Sequence, residues 1–268
     1  MKIKKVFFAF LMLPILLVGS LLEISKFKDI LDLVEEHSSK KILIVCDIDN
    51  TLLRASQHSG SVAWGDYLIA QLELKGISKQ QAEEVESIFW KAIQPYVKVE
   101  TVDPETPAII REIQNRKISI LGLTARAPDE IDYTTKQLLS LDINLSSHEQ
   151  NLSISERLRM GKYDALYDQG ILFSTPFNKK SNVLFHFLKK HEFFPECIIF
   201  VDDKWSHVED VEKACNEENI ACIGIRINAA DEHVKNFNPH LAEIQWQAFP
   251  LMLSDEQAQQ RLQVTLNP

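Results

Sequence analysis

The stretch that most constrains this chain is residues 42–53, Ile-Leu-Ile-Val-Cys-Asp-Ile-Asp-Asn-Thr-Leu-Leu. Its first five residues are uninterruptedly apolar and rich in β-branched side chains, the composition of a strand buried on both faces of a parallel sheet. The run then breaks abruptly into Asp47-Ile48-Asp49-Asn50-Thr51. In open α/β sheets ligands bind beyond the C-terminal ends of the strands. Asp47 and Asp49 therefore fall where chemistry would be done.

A free aspartate can attack phosphorus and form an acyl phosphate, and a second carboxyl can protonate the leaving oxygen and later activate water. Asp47 and Asp49 suit those two roles, with Thr51 placed to fix the turn and the reacting phosphate. A solvated turn would also use Asp and Asn. A calcium loop would need Gly at its sixth position and Glu at its twelfth, but this chain has Leu52 and His58 there.

Three later segments repeat the pattern of chemistry at an element's end. Residues 118–123 read as a strand ending in Thr124-Ala125-Arg126. Thr124 there either donates to a phosphate oxygen or caps the following helix, and Arg126 could add a phosphate contact. Residues 177–184 open a helix with Lys179-Lys180. A lysine at that end opposes the helix dipole, which is accounted for if Lys180, favoured over Lys179, neutralises phosphate and Asp47. Residues 197–201 read as a strand ending in Asp202-Asp203, a carboxylate pair that raises its own pKa unless a cation is present. Mg2+ takes few protein oxygens and keeps sites for water and phosphate. His207 and Asp210 read as helix-surface residues in preference to functional ones.

Taken in order, Asp47-Ile48-Asp49-Asn50-Thr51-Leu52, strand-Thr124, Lys180-Ser181-Asn182-Val183-Leu184 and strand-Asp202-Asp203 resemble the four motifs of the haloacid dehalogenase (HAD) superfamily. Ser181 stands where many members have Gly. The resemblance covers residues 40–227. It implies an α/β fold, a Rossmann-like open parallel sheet, with a small α-helical cap inserted after the first strand. It also implies a Mg2+-dependent phosphatase acting on small-molecule or protein-borne phosphomonoesters. Asp47, Asp49, Asp202 and Asp203 would form the metal site, with Asp49 contributing its backbone carbonyl and Asp203 in direct or indirect contact. Thr51, Thr124 and Lys180 would bind substrate. The chain is similar to secreted bacterial acid phosphatases of this superfamily, and it also resembles a branch of bacterial HAD-like proteins that carry signal peptides. A catalytically silent binding protein and a phosphotransferase or phosphomutase are the alternatives.

The expected organisation is a leader over 1–20, a core over 21–53 and 102–268, and a helical cap over 54–101. The cap carries a capping-box signature at Ser78 and Gln81. Its Trp64, Tyr67, Phe89, Trp90 and Tyr96 suit either its own packing or substrate contact. Periodicity predicts a helix over 23–37, a flap or short strand within 140–175, and two tail helices covering a sheet edge.

Lys2, Lys4 and Lys5 followed by an apolar run to Val18 and small residues at 18–20 read as a secretory signal peptide. The expected location is therefore exported, periplasmic or secreted. Retention of residues 6–22 as an anchor would be the only membrane association. The formal net charge of −9 argues against a nucleic-acid partner, which calls for a basic face. The four cysteines match no zinc spacing and suit apolar strands better than a disulfide framework. A Cys46–Cys197 bridge is conceivable if their strands are neighbours.

Overall fold

The structure is a computed structural model that describes residues 20–146 and 155–266, without the side chains of 264–266. Its centre is an eight-stranded sheet. The strands are β1 (Ser20–Ile24), β2 (Ile42–Cys46), β5 (Ser119–Thr124), β6 (Glu156–Leu158), β7 (Ala165–Asp168), β8 (Ile171–Phe173), β9 (Cys197–Asp202) and β10 (Ala221–Ile227), in the spatial order β1-β10-β9-β2-β5-β8-β7-β6. All neighbours from β1 to β8 run parallel, and β7 and β6 complete one edge antiparallel. The expected parallel α/β class is what the chain adopts.

The continuous apolar runs of β2 and β9 are explained by burial on both faces. Alternate residues of β2 feed different cores. Ile42, Ile44 and Cys46 face Phe27, Ile30 and Ile110 on one side, while Leu43 and Val45 face Val183, Phe187 and Val208 on the other. The first side is covered by α1 (Ile30–Glu36), α4 (Thr106–Asn115) and α5 (Ile131–Ser140), the second by α6 (Lys180–Lys190) and α7 (Trp205–Glu217). Each large apolar side chain fully buried in these layers contributes roughly 1.5–3 kcal/mol.

Three expectations are corrected. Residues 20–24 form the edge strand β1, and the helix expected over 23–37 starts only at Ile30. Leu22 and Ile24 pack on the core while Leu21 is exposed, so the local period is two, not 3.6. Of the flap and the short strand expected within 140–175, the strand is present as β8, and residues 155–175 form no flap: they extend the sheet through a hairpin whose Gln169 and Gly170 both have positive φ. A Cβ on Gly170 would lie 2.1 Å from the Leu145 carbonyl oxygen, which fixes glycine there. Residues 147–154 of the same stretch lie outside the described residues, as does the leader apart from Ser20. No helix among the described residues is long and apolar enough to cross a membrane.

The third correction concerns the tail. Its helices are α8 (Asp231–Lys235), α9 (Pro239–Gln247) and α10 (Asp255–Leu266); α9 and α10, expected on a sheet edge, pack on the segment between β2 and β5, while Asp231 of α8 pairs with Arg226 of β10. That segment rises on a two-stranded ribbon, β3 (Leu53–Ala55) with β4 (Val99–Thr101), and carries the hairpin α2 (Val62–Leu74) and α3 (Lys79–Ile93). Ser78 caps α3 as expected. Trp64, Ile93 and Val97 form a small core with Ala242 and Trp246 of the tail. Tyr67 packs at a tilt on the tail's Phe237, and Phe89 and Tyr96 meet Trp246 and Phe249 edge to face. Most insert aromatics thus serve packing, and their partners lie in the tail, far downstream in the sequence.

All four cysteines are free and buried. Strands β2 and β9 are neighbours, but Cys46 pairs with Val201 and Cys197 with Ile42, at opposite ends of the ladder.

Candidate active site

The C-terminal ends of β2, β5 and β9 meet the N-terminus of α6. After Cys46 the chain leaves the sheet with one further ladder bond, the Asp47 N–H donating to the Val201 carbonyl at 2.8 Å. It then turns sharply. Asn50 takes a φ of 60°, and the amides of Leu52 and Leu53 both donate to the Ile48 carbonyl. Asn is among the few residues that accept that backbone region. The turn aims Asp47 along the strand direction, and its carboxyl is nearly buried.

Lys180 is the first residue of α6, and its side chain is only 3% exposed. Its Nζ lies 2.6 Å from Asp47 Oδ1 and 2.7 Å from Asp202 Oδ2. These two carboxylates offset the dipole penalty of a lysine at a helix start. Lys179 points out to solvent, with Asp210 at 3.4 Å. Of the two lysines left open by the sequence, Lys180 is the one that reaches the strand ends.

Asp202 is held from several directions. The Lys204 amide donates to Oδ1 at 2.9 Å, and His207 Nδ1 stands at 3.0 and 3.1 Å from its two oxygens. Burial opposes its ionisation, but Lys180 and His207 outweigh that and hold its carboxyl well below the usual range. At Lys180 burial is likewise outweighed by Asp202 and Asp47, so its pKa rises. At Asp47 burial prevails over Lys180 and lifts the pKa to about 6. Burial, together with the charges of Asp47 and Asp202, pushes Asp203 up to about 8. The Asn50 side-chain amide donates to its Oδ2 at 3.3 Å.

Asp47, Asp202 and Asp203 each present an oxygen within 4.8 Å of the others. The donor set fits a hard divalent cation, which takes carboxylate oxygens, and half-buried Asp203 is the acid that such a charge would relieve. The side chain of Asp49 does not join this group. It faces Arg126, which grips both of its oxygens from Nε at 2.8 Å and Nη2 at 2.7 Å.

Thr124 is buried at the mouth of the cleft, its Oγ1 accepting from the Arg126 amide at 3.1 Å. Ser174 braces this strand end by donating its hydroxyl to the Thr124 carbonyl at 2.7 Å. Thr51 is not brought to the cleft wall: it is fully buried and its Oγ1 has no hydrogen-bond partner. His207 is no mere helix-surface residue. It lines the cleft and braces Asp202, and its place five residues after Asp202, on the first turn of the next helix, was the available signal. Asp210 also acts locally, accepting from the Ser181 amide at 3.2 Å.

The cleft above these groups has a volume of about 180 Å³. The insert supplies one wall, with Val62, Ile69, Glu86 and Trp90, and the strand ends supply the other. Trp90 is the insert aromatic that turns toward the site, its ring 5.9 Å from the Arg126 guanidinium.

Fold and cleft together define an open α/β protein with an acidic, lysine-bridged centre at the C-terminal ends of its parallel strands. Residues 23–259 match the family described as "Protein of unknown function (DUF2608)", and the chain belongs to it. It is 27% identical over 222 residues to a protein of Chlamydia pneumoniae, covering 83% of this chain and 82% of that one. A protein of Chlamydia trachomatis is 26% identical over 215 residues, covering 80% of each. Both bear the name "Putative outer membrane protein". Among solved structures, a haloacid dehalogenase-like hydrolase of Streptococcus pneumoniae aligns with 72% of this chain and 90% of its own, at 15% identity and a TM-score of 0.41. A phospho-aspartyl intermediate analogue of phosphoserine phosphatase aligns with 74% and 100%, at 18% identity and a TM-score of 0.35.

Proposed function

We propose that this chain is an exported, magnesium-dependent phosphatase that hydrolyses phosphomonoesters through an aspartyl-phosphate on Asp47. The observation that carries the reading is the Lys180 ammonium seated between Asp47 and Asp202, which joins three distant chain segments at the strand ends. A buried lysine with two carboxylates, beside a third acid, supports a centre made to receive a phosphoryl group and a cation together.

In the first half-reaction an Asp47 oxygen forms a bond to phosphorus while the bond from phosphorus to the alcohol oxygen breaks. Asp49, once protonated, gives its proton to that oxygen. In the second, Asp49 takes a proton from water as the water oxygen attacks phosphorus, and Asp47 leaves as a carboxylate with inorganic phosphate as the product. Lys180 and the Thr124 hydroxyl stabilise the phosphoryl oxygens. Asp47, Asp202 and Asp203, with the backbone carbonyl of Asp49, would hold magnesium, which supplies charge neutralisation. Residues 54–101 act as a cap that shields the cleft from water and selects the substrate. Substrates are small-molecule or protein-borne phosphomonoesters. Export is supported by the leader and by the name its chlamydial relatives bear.

One observation favours a second reading, a HAD-like binding protein without turnover. Arg126 occupies both oxygens of Asp49, and a carboxylate so paired does not hand over a proton until released. Assaying the purified protein on an aryl phosphate decides between them. Hydrolysis that needs magnesium, stops with chelator and is lost in Asp47→Asn supports the phosphatase. A folded protein that binds magnesium without hydrolysing a broad phosphate panel supports the binding role.

A further inference from the structure

Arg126 has no part in the chemistry above beyond its grip on Asp49, yet it is among the most completely buried charges in the molecule, its side chain 2% exposed. The two bonds to Asp49 use one edge of its guanidinium. From the other edge Nη1 donates to Thr134 Oγ1 at 3.0 Å and to Gln137 Oε1 at 2.7 Å. Gln137, on α5, passes the connection on: its Nε2 donates to the Gln94 carbonyl at 3.0 Å and stands 3.3 Å from Gln94 Oε1. Gln94 then donates from Nε2 to the Gly60 carbonyl at 2.7 Å.

Gly60 and Gln94 lie in the two segments through which the α2–α3 hairpin leaves and rejoins the core. These segments are in direct contact. Gly60 has a φ of +77°, and a Cβ there would come within 2.4 Å of Val97 Cγ2. The hinges therefore shift together or not at all. A buried polar chain with every member paired is rigid, because moving one link leaves its neighbours unsatisfied. Gln94, Arg126 and Gln137 are all buried, and the bonds just described pair each of them.

We propose that Gln94, Gln137 and Arg126 form a positioning relay that ties both hinges of the insert to the carboxylate of Asp49. Movement of the insert over a substrate is transmitted through the amides of Gln94 and Gln137 to the guanidinium, and so to the placement of Asp49. What Asp49 then does rests on the phosphatase reading; the mechanical link does not.

The test uses the full chain and two readouts. The first is amide hydrogen exchange over residues 57–65 and 94–99 in Arg126→Lys, a variant that keeps the charge and loses the fork. Faster exchange at both hinges, in a protein that retains its far-ultraviolet circular dichroism, is expected; unchanged hinge exchange overturns the relay. The second is steady-state kinetics on an aryl phosphate with magnesium for Gln94→Met and for Gln137→Glu. The latter keeps an acceptor for Arg126 and loses the donor to Gln94, and it decides the matter if Gln94→Met does not fold. Misplacing a reacting group by a fraction of an ångström to an ångström is expected to lower kcat about ten- to a hundredfold, with KM within about twofold of wild type. Folded variants that keep wild-type kcat show the network to be bracing alone and overturn the proposal. A wild-type protein without turnover contradicts the phosphatase reading instead, and the exchange measurement then judges the relay by itself.

Discussion

Lys180 Nζ stands 2.6 Å from Asp47 Oδ1, joining the start of α6 to the end of β2 across a gap of more than a hundred residues in sequence. The pair is almost fully removed from solvent, so the lysine cannot be deleted without leaving Asp47 and Asp202 as buried charges lacking their partner. Removing one member of such a group typically costs about 3–5 kcal/mol. Lys180→Met is accordingly expected to lower the melting temperature of the metal-free protein by several degrees and to reduce phosphatase turnover at least a hundredfold. Thermal denaturation with chelator checks the first effect. An unchanged midpoint would show that the lysine does not carry that load.

Asp203 gives the complementary prediction. Its folded pKa is raised above the unfolded value, so its contribution to stability falls as pH climbs from the ordinary carboxylate range through about 8, where the folded state holds a proton the unfolded state has lost. Asp203→Asn removes that penalty. Without metal the variant is expected to melt higher than wild type at pH 8.5 and to lose most of the stabilisation that magnesium gives the wild type. For a ligand at about a hundred times its Kd that stabilisation is about 2.7 kcal/mol. An undiminished magnesium shift in the variant excludes Asp203 from the cation site.

Glu86 offers a pH signal outside the Asp47–Asp202–Asp203 cluster. It lies over Gly65, where a Cβ would come within 2.7 Å of its Oε1, and burial with the charges of Glu130 and Asp66 lifts its pKa to about 7. The folded state binds the extra proton between the unfolded pKa and 7, so the stability Glu86 gives is present at pH 4 and is lost toward pH 8. Glu86→Gln is expected to be stabilising by about 1–3 kcal/mol at pH 8 and near neutral at pH 4. Paired denaturant titrations at the two pH values check the crossover.

The strand ends were legible in the sequence because buried parallel strands leave an unmistakable trace: an apolar run that stops at a carboxylate or a hydroxyl. That trace marks the positions of Asp47, Thr124, Asp202 and Asp203. Lys180 was readable for a related reason, a cation at the wrong end of a helix. The pairing of Arg126 with Asp49 was not readable, since residues 77 positions apart leave no periodic signal, and neither did the Gln94–Gln137 contact. Edge strand β1 was obscured by the apolar run of sequence that leads into it. The tail's amphipathic pattern showed that it packs without showing on what.

The surface chosen by the tail can itself be tested. Trp246 packs between Trp64 of α2 and Phe89 of α3, with ring centroids 5.5 and 5.4 Å away. Trp246→Ala is expected to cost about 2–4 kcal/mol, toward the lower part of the range for large aromatic deletions because the ring is only partly buried. Exchange protection should fall first in α2 and α3, not in the central sheet. Protection lost at β1 and β10 instead would return the tail to the sheet edge.

The central claim is that Asp47 becomes phosphorylated during turnover. Rapid acid quench of the wild-type protein with magnesium and an excess of aryl phosphate, followed by peptide mapping, tests it most directly. One phosphoryl group on the peptide bearing Asp47, absent in Asp47→Asn, is the expected result. Turnover with no acid-stable label at Asp47, or with the label on another residue, would contradict the assignment.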